Sequence, residues 1–235
     1  MSDLNLEILA YEPSPLGLLC LRRRELLSQP GTIVTEVTLN HEFLMSSLYT
    51  DSERALARTA IDMHAGTDLR VLVGGLGLGY TAREALLSRR VEQVEVVELL
   101  PHVIDWLARG LVPLSSELQE EMGDVRRLVV TEGDVYQRLA GPPDEQLDVI
   151  LIDVDHSPDE RLGDESFSFY TVRGLQAARR HLARDGVLAV WSYAESSPFA
   201  DALHGVFEHV HVQSVTYHNQ LVDEHPTDWL FFARG

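Results

Sequence analysis

At 235 residues, with 45% hydrophobic side chains and one cysteine, the chain has material for one main core and too few thiols for a disulfide scaffold. A formal charge of -18 argues against nucleic-acid backbones and anionic membranes as partners and suits small cationic molecules, while also serving solubility. The opening MSDLNLEILAYEPS carries acids where a secretory leader carries bases, no apolar run nears the roughly 20 residues that span a bilayer, and Cys20 stands alone, so a cytoplasmic protein is expected.

In chain order, Leu6 to Ala10, Leu16 to Leu21 and Thr32 to Leu39 read as short strands, separated by Pro13-Ser14-Pro15 and Gln29-Pro30-Gly31. They predict a small β-rich N-terminal unit. Asp51 opens a helix over Ser52 to His64, with apolar or small residues at Ala55, Leu56, Thr59, Ala60 and Met63 on one face and Gly66 beyond its end. The boundary falls there, giving 1–65 as the N-terminal unit with its connecting helix and 66–235 as a nucleoside-binding unit.

From Leu69 the signals alternate: strand 69–74, helix 79–89, strand 94–98, helix 101–109, strand 127–131, helix 134–140, strand 147–152, helix 167–183, strand 186–191, helix 197–207. Near-continuous apolar strands such as Asp148 to Asp153 imply burial on both faces, the mark of a parallel sheet with helices on each side. His209 to Tyr217 and Asp228 to Ala233 then follow as two strands with no helix between them, which predicts an antiparallel hairpin at or near one sheet edge. The fold class is α/β, a class I methyltransferase-like (Rossmann-like), mostly parallel seven-stranded sheet.

The first strand runs into VLVGGLGLGYTARE, Val71 to Glu84. Gly75-x-Gly77-x-Gly79 removes side chains from a turn beside a helix N-terminus, so a ligand can lie on bare backbone. A dinucleotide fingerprint needs glycine where Tyr80 stands, and no Walker lysine follows; the chain contains no lysine. The turn therefore suits a phosphate-free sulfonium nucleoside of the S-adenosylmethionine type, and tight packing is its plainer explanation.

In such sheets ligands sit beyond the carboxyl ends of the strands. Glu98 ends the second strand about 20 residues past the turn, where a carboxylate accepts from ribose hydroxyls. Asp134, after Gly133, either accepts from an adenine amino group or caps the following helix. Asp153 ends the fourth strand with Asp155 two residues on, a repulsive pairing that points to function.

These motifs resemble the spermidine synthase (polyamine aminopropyltransferase) family over most of residues 69–235. GLGLGYTARE resembles the family's GGGDGGxxRE turn, Val91 to Ile104 its VExVxxVEIDxxVI segment, Gly133-Asp134 its GD before a helix, and Asp153 to Pro158 its DSSDP loop. Ser166-Phe167 with Phe169-Tyr170 is similar to its LFSxEFY helix, and Pro226 to Ala233 to its PSGxWGF strand. The resemblance implies a polyamine-biosynthesis transferase that takes decarboxylated S-adenosylmethionine or S-adenosylmethionine as donor, needs no metal and pairs as a homodimer. Gly75, Gly77, Leu78, Gly79, Glu98, Leu99, Asp134 and Val135 would hold the nucleoside, Glu98 at the ribose and Asp134 at the adenine. Asp153 would take the proton of the attacking amine, with Asp155, His156 and Glu42 binding the acceptor.

Leu78 stands where the family has the Asp that grips the donor amine, and Leu100 replaces a second acid. The family's Tyr-x-Glu-Met corresponds at best to Asn40 to Phe43, and the glutamine after its fifth strand is missing from Trp191 to Ser196. Two alternatives follow: a methyltransferase using intact S-adenosylmethionine on a small molecule, and a non-catalytic nucleoside or polyamine binder. His209 and His211 share a strand face without a third metal ligand, His218 and His225 fall in a polar loop, and Trp106, Trp191 and Trp229 read as core. Leu114 to Asp124 reads as an acidic surface helix or loop, or as a lid.

Overall fold

A computed structural model of the chain describes residues 6–124, 126–154, 157–158, 166–219 and 223–235. Strands β1 (Leu6–Ser14), β2 (Gly17–Glu25), β3 (Ile33–Leu39) and β4 (Glu42–Ser46) form an antiparallel sheet in that order. β4 is absent from the sequence expectation because its hairpin uses Asn40 and His41, both at positive φ (52° and 73°), in place of the glycine that usually marks such a turn. β2 also extends beyond Leu21 through Arg22 to Glu25, since alternate arginines on a strand can lie along a sheet face.

Helix α1 (Asp51–Met63) leads to β5 (Leu69–Gly74), α2 (Tyr80–Leu87), β6 (Val91–Glu98), α3 (Pro101–Ala108), α4 (Ser115–Met122), β7 (Leu128–Glu132), α5 (Val135–Ala140) and β8 (Leu147–Ile152). Short α6 (Ser166–Phe169), α7 (Val172–Arg179), β9 (Leu182–Ser192), α8 (Ser197–His204), β10 (His209–Thr216) and β11 (Thr227–Arg234) complete the chain. The strand order is β10-β11-β9-β8-β5-β6-β7, with β11 antiparallel to both neighbours and the rest parallel. The expected closing hairpin is present, with β10 on the edge.

One helical expectation is corrected, and another is narrowed. The helix expected over 167–183 is interrupted because the Thr171 side chain accepts from Gly174 N and caps a fresh start, and β9 already begins at Leu182. Leu114 to Asp124 is largely helix, and Leu118 from its inner face is fully buried.

Strand residues alternate between two cores, as period-two geometry requires. Val71, Val73, Val149, Leu151, Val187 and Ala189 face one cluster, while Leu72, Ile150, Ile152, Leu188 and Val190 face the other. The first cluster also takes Ala10, Leu19, Leu21 and Val37 from the small sheet, so the two sheets share one apolar mass. That packing holds β4 and the start of α1 over the carboxyl ends of the large sheet's strands.

At Gly75 the backbone has φ 90°, and a Cβ would stand 2.3 Å from the Asp153 carbonyl oxygen. Gly75→Ala should therefore lower the unfolding free energy by at least about 2 kcal/mol, the left-handed penalty plus the clash, as read by chemical denaturation.

Candidate active site

One cavity of about 1010 Å³ opens at the carboxyl ends of β5, β6, β7 and β8 and continues beneath the small sheet. Its floor is the glycine turn. Gly75, Gly77 and Gly79 sit at φ 90°, 52° and 93°, and Gly79 is the N-cap of α2. Gly77 is open toward the cavity, its nearest neighbour on the Cβ side being Met45 Sδ at 3.6 Å.

All eight residues expected at the nucleoside line this cavity. Glu98 is 7% exposed; Oε2 accepts from Leu76 N at 2.7 Å and Oε1 from Leu100 N at 2.8 Å. Burial pushes its carboxyl up, against backbone N–H groups of Leu100, Leu76, Gly77 and Leu99. Glu98 thus ties the glycine turn to the end of β6 while facing the cavity. Asp134 is the N-cap of α5, with Oδ1 accepting from Tyr136 N at 2.8 Å and Gln137 N at 3.2 Å, so the capping role foreseen for it is real and leaves Oδ2 for another donor. Val135 packs on Gly74, Leu99 is half exposed, and Leu78 is 5% exposed within the first core.

Asp153 also lines the cavity. Its N–H donates to Gly74 O at 3.0 Å, and Thr81 Oγ1 on the first turn of α2 donates to its Oδ2 at 2.5 Å. One oxygen is held and the other is left for a ligand. Burial raises the carboxyl to about 6, opposed by the Thr81 bond and reinforced by the charge of Asp228.

The acceptor set is less well placed. Asp155 and His156 lie outside the described residues. Glu42 does not reach the cavity: as the first residue of β4, directly after the Asn40-His41 turn, it is exposed to solvent. Acids outside that expected set do reach it, among them Glu53 on α1 and Asp228 on β11. The Ser52 hydroxyl lies 2.6 Å from Asp228 Oδ2 and 3.0 Å from Glu53 Oε2, and accepts from Trp191 Nε1 at 3.0 Å. Burial, with the charges of Asp153 and Asp228, pushes Glu53 up to about 8. Trp191 is thus a half-buried cavity wall, whereas Trp106 is fully buried core and Trp229 packs against the second core.

Sequence reasoning missed Glu53 and Asp228. Asp51-Ser52-Glu53 reads as an ordinary acidic helix start, and nothing local ties it to a residue 176 positions further along the chain. Aromatic rings close this end, with Tyr49 stacked on Tyr217 at 4.8 Å. Burial and the nearby Asp228, Glu53 and Tyr49 push the Tyr217 hydroxyl up to about 12.

On the small sheet, Arg22 and Arg24 also line the cavity and clasp Glu36 between them, with contacts of 2.9 and 2.7 Å. Burial alone would push Glu36 up, but the bonds to Arg24 and Arg22 outweigh it and hold the carboxyl below its usual range. His218 and His225 stack at 4.6 Å in the loop beyond β10, with His218 Nε2 3.0 Å from Asp223 Oδ1. Among the described residues no group of three ligand-type side chains is arranged to hold a metal.

No family model matches the chain. In sequence it is 37% identical over 125 residues to polyamine aminopropyltransferase 2 of Streptomyces coelicolor. That stretch is 53% of this chain and 22% of the relative, so the chain spans well under two thirds of that protein. A spermidine synthase in complex with the transition state analogue AdoDATO superposes with a TM-score of 0.74 at 20% identity, over 97% of this chain and 73% of that one. The spermidine synthase of Thermotoga maritima superposes at 0.71 and 18% identity, covering 97% and 72%, and a probable spermidine synthase of Corynebacterium glutamicum at 0.61 and 20%, covering 97% and 80%. The chain thus shares the fold of these spermidine synthases, a mostly parallel sheet with an antiparallel end, and over about half its length it is similar in sequence to a polyamine aminopropyltransferase.

Proposed function

We propose that the chain is a transferase that moves an aminopropyl group from decarboxylated S-adenosylmethionine to a polyamine-type amine. The observation that carries this reading is Asp153: a carboxylate held by one oxygen to Thr81, at the junction between the glycine turn and the part of the cavity that Glu53 and Asp228 line. Kinship with an aminopropyltransferase supports it. The nucleoside would lie on Gly75, Gly77 and Gly79 beside Leu78, with its ribose at Glu98, its adenine between Leu99 and Val135, and its amino group at Asp134 Oδ2.

The acceptor nitrogen attacks the carbon beside the sulfonium, the C–S bond breaks, and methylthioadenosine leaves with the electron pair. An alkylamine with a pKa near 10 is protonated at neutral pH, and exposing its lone pair costs roughly 4 kcal/mol. Asp153, ionised above about pH 6, offsets part of this by taking the proton, and its charge stabilises two cations brought together.

Leu78, apolar and almost fully buried at the turn, favours a second reading in which intact S-adenosylmethionine donates a methyl group, since no turn carboxylate then opposes the donor's own. A binding protein without turnover is the third. A homodimer and a cytoplasmic setting belong to the same proposal. Leu6, Ile8, Tyr11 and Phe43 of the small sheet are each more than half exposed, an apolar surface suited to a second copy, and Cys20 is free. The -18 charge supports the absence of nucleic-acid and membrane partners, and among the described residues no helix is long and apolar enough to cross a membrane.

Incubation with either donor and a diamine, read by mass spectrometry, should give an aminopropylated amine and methylthioadenosine; a methylated product transfers the assignment to the second reading, and donor binding without product to the third. Asp153→Asn should lower turnover by about 10²–10⁴ while methylthioadenosine still binds, and an active Asn variant removes the base. Thr81→Val deletes the bond that opposes the raised Asp153 carboxyl, so the ascending limb of the pH–rate profile, near 6 in the wild type, should move to higher pH.

A further inference from the structure

Ser52, 1% exposed at the start of α1, stands at a three-way junction. An indole nitrogen only donates, so Trp191 Nε1 occupies one lone pair of Ser52 Oγ at 3.0 Å. The hydroxyl has a single proton, and two carboxyl oxygens lie within its reach, Asp228 Oδ2 at 2.6 Å and Glu53 Oε2 at 3.0 Å. Only one can be served, and the shorter contact assigns the proton to Asp228. An oxygen pair at 3.0 Å with no proton between them is repulsive. Glu53 therefore completes the junction by carrying its own proton and donating it to the remaining lone pair of Ser52.

Burial and the acids facing Glu53 act in the same direction and outweigh the backbone hydrogen bond at Glu53 and the Ser52 hydroxyl, which oppose them. Asp153 at the end of β8 and Asp228 on β11 are acids, and burial together with both of them disfavours a third negative charge. Tyr80 on α2 and Tyr217 after β10 face it as neutral phenols. Its neighbour Arg54 is turned elsewhere, bonded to Thr50 at 3.1 Å, 3.8 Å from Glu84, and lying over the Tyr80 ring.

We propose that Glu53 is the neutral, proton-bearing member of the cavity's carboxyl cluster in the free protein, and that it ionises when a cationic amine enters, so that acceptor binding expels a proton. This rests on the acceptor reading of the cavity given above. The incoming ammonium places positive charge among carboxyls that repel one another, which favours their ionised forms. The proton leaves Glu53 for the buffer, and no bond in the amine is made or broken. Glu53 is thus a specificity residue: neutral, it limits the charge of the empty cavity, and ionised it adds a negative group only when there is a cation to meet it.

Titration calorimetry of the full chain saturated with methylthioadenosine, with putrescine and spermidine as probes at pH 7, tests this when run in phosphate and in Tris, whose ionisation enthalpies differ. The wild type should release close to one proton per amine bound. Glu53→Gln should still bind amine with the release lost, and Asp228→Asn, which removes one of the charges holding the proton on Glu53, should release less than the wild type. Equal enthalpies in the two buffers for the wild type, or undiminished release in Glu53→Gln, would overturn the inference. Amine binding with proton release but no transfer product would defeat the proposed reaction alone; absence of amine binding would defeat both. If Glu53→Gln does not fold, a carbon NMR titration of Glu53 in the wild type decides: a midpoint above pH 7 supports the inference, and one in the usual glutamate range overturns it.

Discussion

The contact on which the rest depends is the one between Gly75 and the backbone of Asp153. β5 and β8 pair in parallel up to Gly74 and Ile152, Asp153 N–H bonds Gly74 O at 3.0 Å, and the turn then passes so close that only a glycine fits. The surface that receives a nucleoside and the carboxylate that would take a proton are therefore one rigid piece. Thr81 adds a second tie from the helix that the turn launches. Preorganisation of this kind is valuable where two cations must be brought together, because the reacting groups need no further ordering at the moment of displacement.

The large sheet was legible because its strands report burial on both faces. Val71 to Gly74 and Val149 to Ile152 are apolar at consecutive positions, which only a covered parallel strand tolerates, and α5 between them carries its own cap at Asp134. The glycine turn, Glu98 and Asp134 were legible for the same reason: each follows a strand whose end is marked in sequence. β4 was not, since its hairpin is built on Asn40 and His41 in conformations that glycine usually signals. The breaks at Thr171 and Leu182 escaped because a threonine cap and a strand start within an otherwise helical composition leave only a weak local trace.

The acidic end of the cavity illustrates a different limit. Glu42 rests on the match of Asn40 to Phe43 to the family's Tyr-x-Glu-Met, and the fold sends it to solvent; Glu53, in the first turn of α1, is carried inward because α1 packs on α2 and β9 with Ser52 turned toward Asp228. Asp228 sits within a strand whose neighbours Trp229, Leu230 and Phe231 dominate its pattern. A cluster assembled from the first turn of one helix and the first turn-side residues of the last strand is a product of topology, and period or spacing within either segment is silent about it.

The Arg22, Glu36 and Arg24 triad, from the small sheet, closes the picture. With no lysine in the chain, the positive charge facing the cavity is guanidinium, which keeps its proton throughout the biological range, and Glu36 between the two is held ionised. The cavity thus has one part of its lining with a fixed cationic charge and another, the carboxyls of Glu53, Asp153 and Asp228, whose negative charge rises with pH. The charge difference between the two parts must grow as the surroundings become more alkaline, and a guest bearing charge of both signs would be held in one orientation more firmly at high pH than at low.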